Sequence, residues 1–235
     1  MINQTTYKSK FSLVIAGLAG INLVILVHEL GHFISAYYFG VPTPIFSLGF
    51  GPALIKITLG NTLFQIALLP FGGYVELNEA ILATQPYLHK MVIMLAGIFC
   101  NFIFTYAIFC FYAPRQIAEN TSLSECLNFI RKKNGNNGGI IGPIGLIGII
   151  GTCFQENSTF FWIILGLISL NVGLFNLLPL PFFDGGKALI FTLEAATGSS
   201  LPENSISIIS MIILALFVLA MAAVSVNDVK KFKQH

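Results

Sequence analysis

The stretch FSLVIAGLAGINLVILVHELGHFISAYYF, residues 11–39, decides how this chain folds. It is apolar except for one short polar interruption, and it exceeds the roughly 20 apolar residues that a helix needs to cross a bilayer. It is also longer than the ~7–15 apolar residues of a removable signal peptide and ends without a small-residue cleavage motif. We therefore predict that residues 11–39 form a membrane-spanning helix that the protein keeps.

The composition of the whole chain agrees with a membrane protein. Of its 235 residues, 55% are hydrophobic and only 9% are charged, whereas soluble domains carry about 25% charged residues. The length suits a single membrane domain over residues 1–235. A net charge of +2, without a basic run among aromatic residues, gives no sign of nucleic-acid binding.

Three further stretches are long and apolar enough to span a bilayer; they are Met91–Tyr112, Phe160–Leu178 and Ile206–Val226. Pro42–Val75, between the first two spans, instead holds β-prone runs separated by Gly51-Pro52 and Gly60-Asn61, which is typical of hairpins. The predicted fold is an α-helical polytopic membrane protein with about four transmembrane helices. A small membrane-associated β-hairpin region should lie between the first and second helices.

A polar loop is predicted between the second and third spans, over Ala113–Ser158. Within it, Gly142–Ile150 is apolar but too short to span, which indicates a re-entrant or interfacial segment. Cys126 and Cys153 could pair if the loop faces an oxidising compartment, and the sequence leaves that question open.

The polar interruption of the first span is His28-Glu29-Leu30-Gly31-His32, which fits the metal-binding pattern HExxH. On a helix the two histidines share a face and can bind one Zn²⁺, and Glu29 lies near enough to take a proton from a metal-bound water. The alternative is a hydrogen-bonded polar cluster without metal. Each polar group at mid-membrane costs about 2.5–3.5 kcal/mol, which favours a function that compensates for them.

A third zinc ligand is expected, and the best candidate is Asp184. It follows Pro179 and Pro181, which break the helix, and precedes Gly185-Gly186, which permits a sharp turn. The alternative is a carboxylate in an interfacial loop. The first and third spans run in the same direction, so His28 and Asp184 should approach the same side of the membrane.

Two asparagines are candidates for a role beside the metal. Asn101 ends the pattern Gly97-Ile98-Phe99-Cys100-Asn101, which allows close helix packing and a bond across the contact. Three roles are open for Asn101: helix packing, support of the metal ligands, and substrate binding. Asn176 lies beside the broken segment and is the better candidate to meet a substrate backbone.

Together these motifs resemble the site-2 protease family of intramembrane zinc metalloproteases (peptidase M50-like), closest to its bacterial regulated-proteolysis branch. The similar segments follow the family's order along nearly the whole chain. They are His28–His32, Phe46–Gly51, Pro70–Val75, Gly97–Phe102, Gly142–Ile144 and Asn176–Gly186.

The resemblance implies cleavage of transmembrane protein substrates within the lipid bilayer. It makes Glu29 the general base and His28, His32 and Asp184 the ligands of Zn²⁺. It also implies that the hairpin region pairs with an unwound substrate strand, for which the run Thr62–Leu69 is the candidate, while Asn176 holds the substrate extended.

The chain departs from its relatives in the 113–158 loop, which is about half as long as the PDZ domain that they carry there, and at Lys187, where they often have histidine. The resemblance places the protein in a bacterial inner membrane, with the active site nearer the cytoplasm. Nine of the twelve Lys and Arg residues lie in the termini and the polar loop, which indicates the opposite orientation.

Two other functions are compatible with buried histidines in a membrane. A degenerate protease that only binds helices should have lost Glu29 or a ligand, and this chain keeps them. A zinc or proton transporter should carry acidic or histidine residues on several spans, and the second and fourth predicted spans carry none.

Overall fold

The structure is a computed structural model that describes residues 4–118, 143–156, 158–199 and 203–233. Helices and one β-hairpin account for nearly all of these residues. In chain order they are α1 (Gln4–Tyr38), β1 (Ile45–Leu59), β2 (Thr62–Val75), α2 (Glu79–Thr84), α3 (Tyr87–Ala118), α4 (Pro143–Glu156), α5 (Ser158–Asn176), α6 (Asp184–Thr197) and α7 (Glu203–Lys233).

Three helices are long and apolar enough to cross a membrane. The apolar stretches are Phe11–Tyr38 in α1, Tyr87–Tyr112 in α3 and Thr159–Asn176 in α5. They agree with the first three predicted spans in position, length and apolarity. The fourth, Ile206–Val226, lies in α7, where the apolar stretch in the described part of the chain is Ser207–Ala220 and falls short of 18 residues. The count of four is therefore not confirmed.

The hairpin region is confirmed as a two-stranded antiparallel sheet formed by β1 and β2. The turn between them uses Gly60, whose φ of 59° suits a residue without Cβ. The register is irregular, because the first residues of β1 have two sets of partners in β2. Leu48, for example, is paired with both Ile66 and Gly73.

Apolar side chains remain exposed on the projecting part of the hairpin. Leu54, Ile57, Leu59 and Leu68 are each more than half exposed. Exposed apolar groups at this density are typical of a surface that meets lipid or another protein. They agree with the prediction that the hairpin is membrane-associated.

The chain divides into two compact units. The first comprises residues 1–21, 106–167 and 215–235. In it, α4 packs closely on α1, because a Cβ at Gly17 would collide with the carbonyl of Ile147 and one at Gly151 with that of Leu13. The predicted short apolar segment at 142–150 is thus helical from Pro143, and Ile150 is fully buried.

The predicted polar loop is shorter than the sequence suggested. Residues 113–118 continue α3, and residues 143–156 form α4. The segment 143–156 is largely apolar, which favours a buried helix, whereas 113–118 contains Pro114, Arg115 and Gln116 and extends α3 without an apolar pattern. Cys126 and the rest of 119–142 lie outside the described residues, so the pairing with Cys153 stays a prediction.

The second unit comprises residues 22–105 and 168–214. It contains the hairpin, α2, α6 and the adjoining parts of α1, α3, α5 and α7. Its buried core consists of Ala36, Val41, Leu82, Ile93, Met94 and Ala188. Helices α1 and α3 touch at glycine, since a Cβ at Gly31 would lie 2.7 Å from the carbonyl carbon of Ala96.

Candidate metal centre

Helix α1 presents its two histidines on one buried face. His28 and His32 are four residues apart. Both residues are buried, with 6% and 7% of their surface exposed. Their ring centroids lie 4.9 Å from one another. The i, i+4 spacing of an α-helix thus places both imidazoles together, as the HExxH pattern predicts.

An irregular segment returns the chain to this face after α5 ends at Asn176. Residues 177–183 make tight turns, in which Leu180 N–H donates to Leu178 O and Phe183 N–H donates to Leu180 O, both at 2.8 Å. Asp184 then begins α6. The next two residues must be glycine, because a Cβ at Gly185 or Gly186 would collide with a backbone carbonyl of the turn.

Three ligand atoms converge where these elements meet. Oδ2 of Asp184 lies 3.0 Å from Nε2 of His28 and 3.2 Å from Nε2 of His32. The two Nε2 atoms are 3.2 Å apart. The structure therefore brings together the three residues that the sequence nominated as a metal site.

The carboxylate of Asp184 is ionised in this arrangement. Burial disfavours its charged form, but hydrogen bonds from His28 and His32, together with their charge, outweigh burial and hold the pKa of Asp184 below its usual range. An ionised carboxylate beside two imidazoles is the donor set that catalytic zinc sites use.

The surroundings of the histidines fit a bound metal. Nδ1–H of His32 donates to the carbonyl of Ile93 over 2.8 Å, which holds the ring with Nε2 towards Asp184; a metal that displaces the Nε2 proton would find the lone pair that a ligand needs. Gly97 leaves space at the rings, because a Cβ there would lie 2.8 Å from Cε1 of His28 and would collide with Nε2 of His32. The donor set, the orientation of the His32 ring and the missing side chain at Gly97 all agree with a metal site.

Glu29 occupies a different face of the same site. Its carboxyl group lies beside the backbone of Val75. A Cβ placed on Gly73 would lie 3.4 Å from Cγ of Glu29. Glu29 is thus held against the end of β2 and does not belong to the group of three converging ligand atoms.

A cavity of about 370 Å³ opens at these groups. Its wall combines the three ligand residues and Glu29 with the end of β2, the end of α5 and the start of α6. Among the lining residues are Gly73, Tyr74, Val75, Asn176, Phe183 and Lys187. The site therefore has room for part of a peptide beside the metal ligands.

The two asparagines differ in their relation to this cavity. Asn176 lines it, and its Nδ2 donates to the carbonyl of Val172 over 3.0 Å. Asn101 is fully buried, does not line the cavity, and lies 3.2 Å from Nδ1 of His28. Contact with substrate stays a prediction for Asn176, and the structure gives Asn101 a histidine as neighbour.

The end of β2 borders the cavity as a sheet edge, which the sequence did not reveal. Gly73–Val75 pairs on one side with Phe46–Leu48 and faces the cavity on the other. Residues 63–66, in the run proposed from sequence, have partners in both Ile45–Leu48 and Ile55–Thr58. The sequence signal for this edge is the motif Pro70–Val75, in particular its Gly72-Gly73 pair.

The direction of the backbone at this edge follows from two hydrogen bonds. Glu76 N–H donates to the carbonyl of Ile45, towards β1. Because N–H groups alternate along a strand, the N–H groups of Val75 and Gly73 point the other way, towards Glu29 and the cavity. The position of the Glu29 carboxyl group beside the Val75 backbone agrees with this direction.

Fold and site together define a helical membrane protein with a buried His-His-Asp centre and a glutamate beside it. Within that class, the chain belongs to peptidase family M50, whose model matches residues 16–220. The resemblance inferred from the motifs is thereby confirmed.

Curated relatives align over shorter stretches. The chloroplastic membrane metalloprotease ARASP of Arabidopsis thaliana is 34% identical over 110 residues, covering 42% of this chain and 25% of that protein. A protein of Fusobacterium nucleatum named as a zinc metalloprotease is 32% identical over 94 residues, covering 37% of this chain and 28% of its own length. The chain thus spans only a quarter or slightly more of these relatives.

Proposed function

We propose that this protein is a zinc-dependent intramembrane endopeptidase that cleaves peptide bonds in or near transmembrane segments. The observation that carries the proposal is the convergence of His28, His32 and Asp184, with ligand atoms 3.0–3.2 Å apart, beside Glu29. Membership of peptidase family M50 supports the same reaction. Relatives named as zinc metalloproteases support the choice of metal.

Each residue of the site has a distinct part in this reaction. Zinc bound by His28, His32 and Asp184 would polarise the scissile carbonyl and acidify a water. The Glu29 carboxylate accepts the proton of the attacking water and passes it to the leaving amine. The carboxylate lies beside the Val75 backbone, and both residues line the cavity.

The substrate should bind as an extended strand along Gly73–Val75. A helical substrate uses its N–H groups internally, so it must unwind before its main chain can pair with a sheet edge. Gly73 offers an N–H group towards the cavity, and Asn176 lines the same cavity as a further polar group. This edge replaces the run Thr62–Leu69, part of which is already paired on both sides.

The proposed partners are transmembrane proteins and the bilayer itself. The three apolar helices support a membrane location. One similar relative is chloroplastic, so similarity does not restrict the chain to a bacterial inner membrane. The active site nearer the cytoplasm stays a prediction of the resemblance.

A transporter finds less support in the described part of the chain. Groups of at least three His, Cys, Asp or Glu residues that can hold a metal are limited there to His28, His32 and Asp184. A transport path needs a succession of such sites across the membrane. One buried centre beside a general base suits hydrolysis better.

The test is cleavage of a model transmembrane peptide by the purified full chain. Wild-type protein should contain about one zinc per chain, and a chelator should stop cleavage reversibly. Glu29→Gln keeps the size and hydrogen bonding of the side chain but cannot accept the proton. Its turnover should fall at least ~100-fold while zinc stays bound.

Two results would overturn the proposal. One is full activity of wild-type protein that contains no zinc by elemental analysis. The other is near-normal turnover of Glu29→Gln, with the same zinc content and helical circular dichroism as wild type.

A further inference from the structure

Asn101 is a buried polar residue whose contacts the proposed reaction leaves unexplained. It lies on α3 with no exposed surface, and its Nδ2 is 3.2 Å from Nδ1 of His28. Its Oδ1 is also buried and has no hydrogen-bond partner among the residues that the structure describes. Buried amide oxygens are nearly always satisfied, so an acceptor without a donor calls for an explanation, and one explanation is a bond that forms when a metal is bound.

A metal bound to His28 would determine which donor the Asn101 oxygen meets. A histidine that binds zinc through Nε2 must carry its proton on Nδ1, and this N–H then needs an acceptor. His32 meets the requirement with the carbonyl of Ile93. At Nδ1 of His28 the structure places the Asn101 amide instead.

We propose that Asn101 is a positioning residue of the metal centre, with its amide oxygen accepting a hydrogen bond from Nδ1–H of His28. This inference rests on the proposed function, because it assumes zinc at Nε2 of His28. A half-turn of the carboxamide exchanges its oxygen and nitrogen, which are nearly equal in size, and brings Oδ1 to the ring. The bond fixes the tautomer and orientation of His28 as a ligand.

The backbone of Asn101 is held independently of its side chain. Its carbonyl accepts hydrogen bonds from Thr105 Oγ1 at 2.8 Å and from Ser169 Oγ at 3.1 Å. Ser169 lies on α5 and is fully buried. Variants of the Asn101 side chain therefore leave these bonds available, and Ser169→Ala disturbs the same place without touching His28.

The experiment measures the zinc affinity of the detergent-solubilised full chain, by competition with a chromophoric chelator. Asn101→Leu has a similar volume but no acceptor, and its zinc affinity should fall by about 10–100-fold. Asn101→Asp presents an oxygen to Nδ1–H and should bind zinc within a few-fold of wild type. Ser169→Ala should also stay near wild type. The absorption of bound Co²⁺ should show a distorted site in Asn101→Leu alone.

The outcomes separate this inference from the proposed function. If wild-type protein binds no zinc, the proposed function fails. If wild type binds zinc and folded Asn101→Leu binds it equally well, or Asn101→Asp loses it equally, the positioning role fails. If circular dichroism shows that Asn101→Leu does not fold, Asn101→Ala replaces it, because a smaller side chain cannot crowd the helix contact. The same fall in zinc affinity is expected for Asn101→Ala.

Discussion

At the scale of single residues, the absence of a side chain at Gly97 matters as much as the ligands. A Cβ at this position would lie 2.8 Å from Cε1 and 2.9 Å from Nδ1 of His28. It would lie nearer still to the ring of His32. One methyl group would therefore enter the space beside the imidazoles. Small residues in membrane helices usually serve close packing, and here the same feature keeps the metal site open.

We therefore predict that Gly97→Ala lowers zinc affinity by roughly tenfold or more, because the rings must move apart. Zinc content after dialysis and chelator competition measure the effect. Gly166→Ala is the matched control, since its Cβ would meet only side chains, the nearest atom being Cγ2 of Ile108 at 3.2 Å. Equal zinc affinity in the two variants would contradict the role assigned to Gly97.

Much of the site was readable at this scale, and the reason is local periodicity. The helix repeat fixes His28, Glu29 and His32 relative to one another without knowledge of the rest of the fold. Asp184 was found through the prolines and glycines around it. The partner of Asn101 could not be found, because it depends on how α3 lies against α1.

At the scale of elements, the hairpin was predicted but its free edge was not. Turn residues and β-prone runs locate strands, but they do not tell which parts of β1 and β2 pair. The first residues of β1 lie between two parts of β2, which leaves Gly73–Val75 at the cavity. That arrangement depends on the irregular register, which has no simple sequence signature.

The free edge leads to a prediction about substrates. Single N-methyl groups placed on successive backbone nitrogens of a model peptide, beside the cut site, should slow cleavage at every second position. Strand pairing uses alternate N–H groups, so the losses should have a period of two. Peptides with the same side chains and no N-methyl group are the control. Cleavage rates measured at saturating and limiting peptide separate binding from turnover.

A different pattern would argue against strand docking. Equal losses at all positions would show only that N-methylation disturbs the peptide, and losses every three to four residues would indicate that the substrate binds as a helix. Proline variants in 63–66 are less informative, because that segment has partners on two sides and its loss would disrupt the sheet.

At the scale of the whole molecule, metal binding should be linked to folding. The ligands come from α1 and from the start of α6, so a bound ion ties together segments that are far apart in sequence. A ligand present at about 100 times its dissociation constant stabilises the folded state by about 2.7 kcal/mol. Removal of zinc should lower the apparent midpoint of thermal unfolding.

The check is thermal unfolding in detergent, followed by circular dichroism, with and without chelator. Wild type should lose several degrees on chelation. Asp184→Asn, which removes the charged ligand, should unfold at a temperature that the chelator does not change. A chelator effect of equal size in both proteins would place the stabilising ion elsewhere.

Three of the predicted spans agree with helices of the structure. They could be predicted because length and apolarity are properties of each segment alone. The burial of α4 was harder to foresee. Its close contacts at Gly17 and Gly151 depend on which helix faces which, and composition carries no such information.

The distance along the chain between the ligands also orders events during synthesis. His32 and Asp184 are 152 residues apart. A ribosome making this chain delivers the histidines and the glutamate to the membrane long before the aspartate emerges. An interrupted translation product that ends before residue 184 lacks the third ligand, so it should have none of the proposed hydrolase activity.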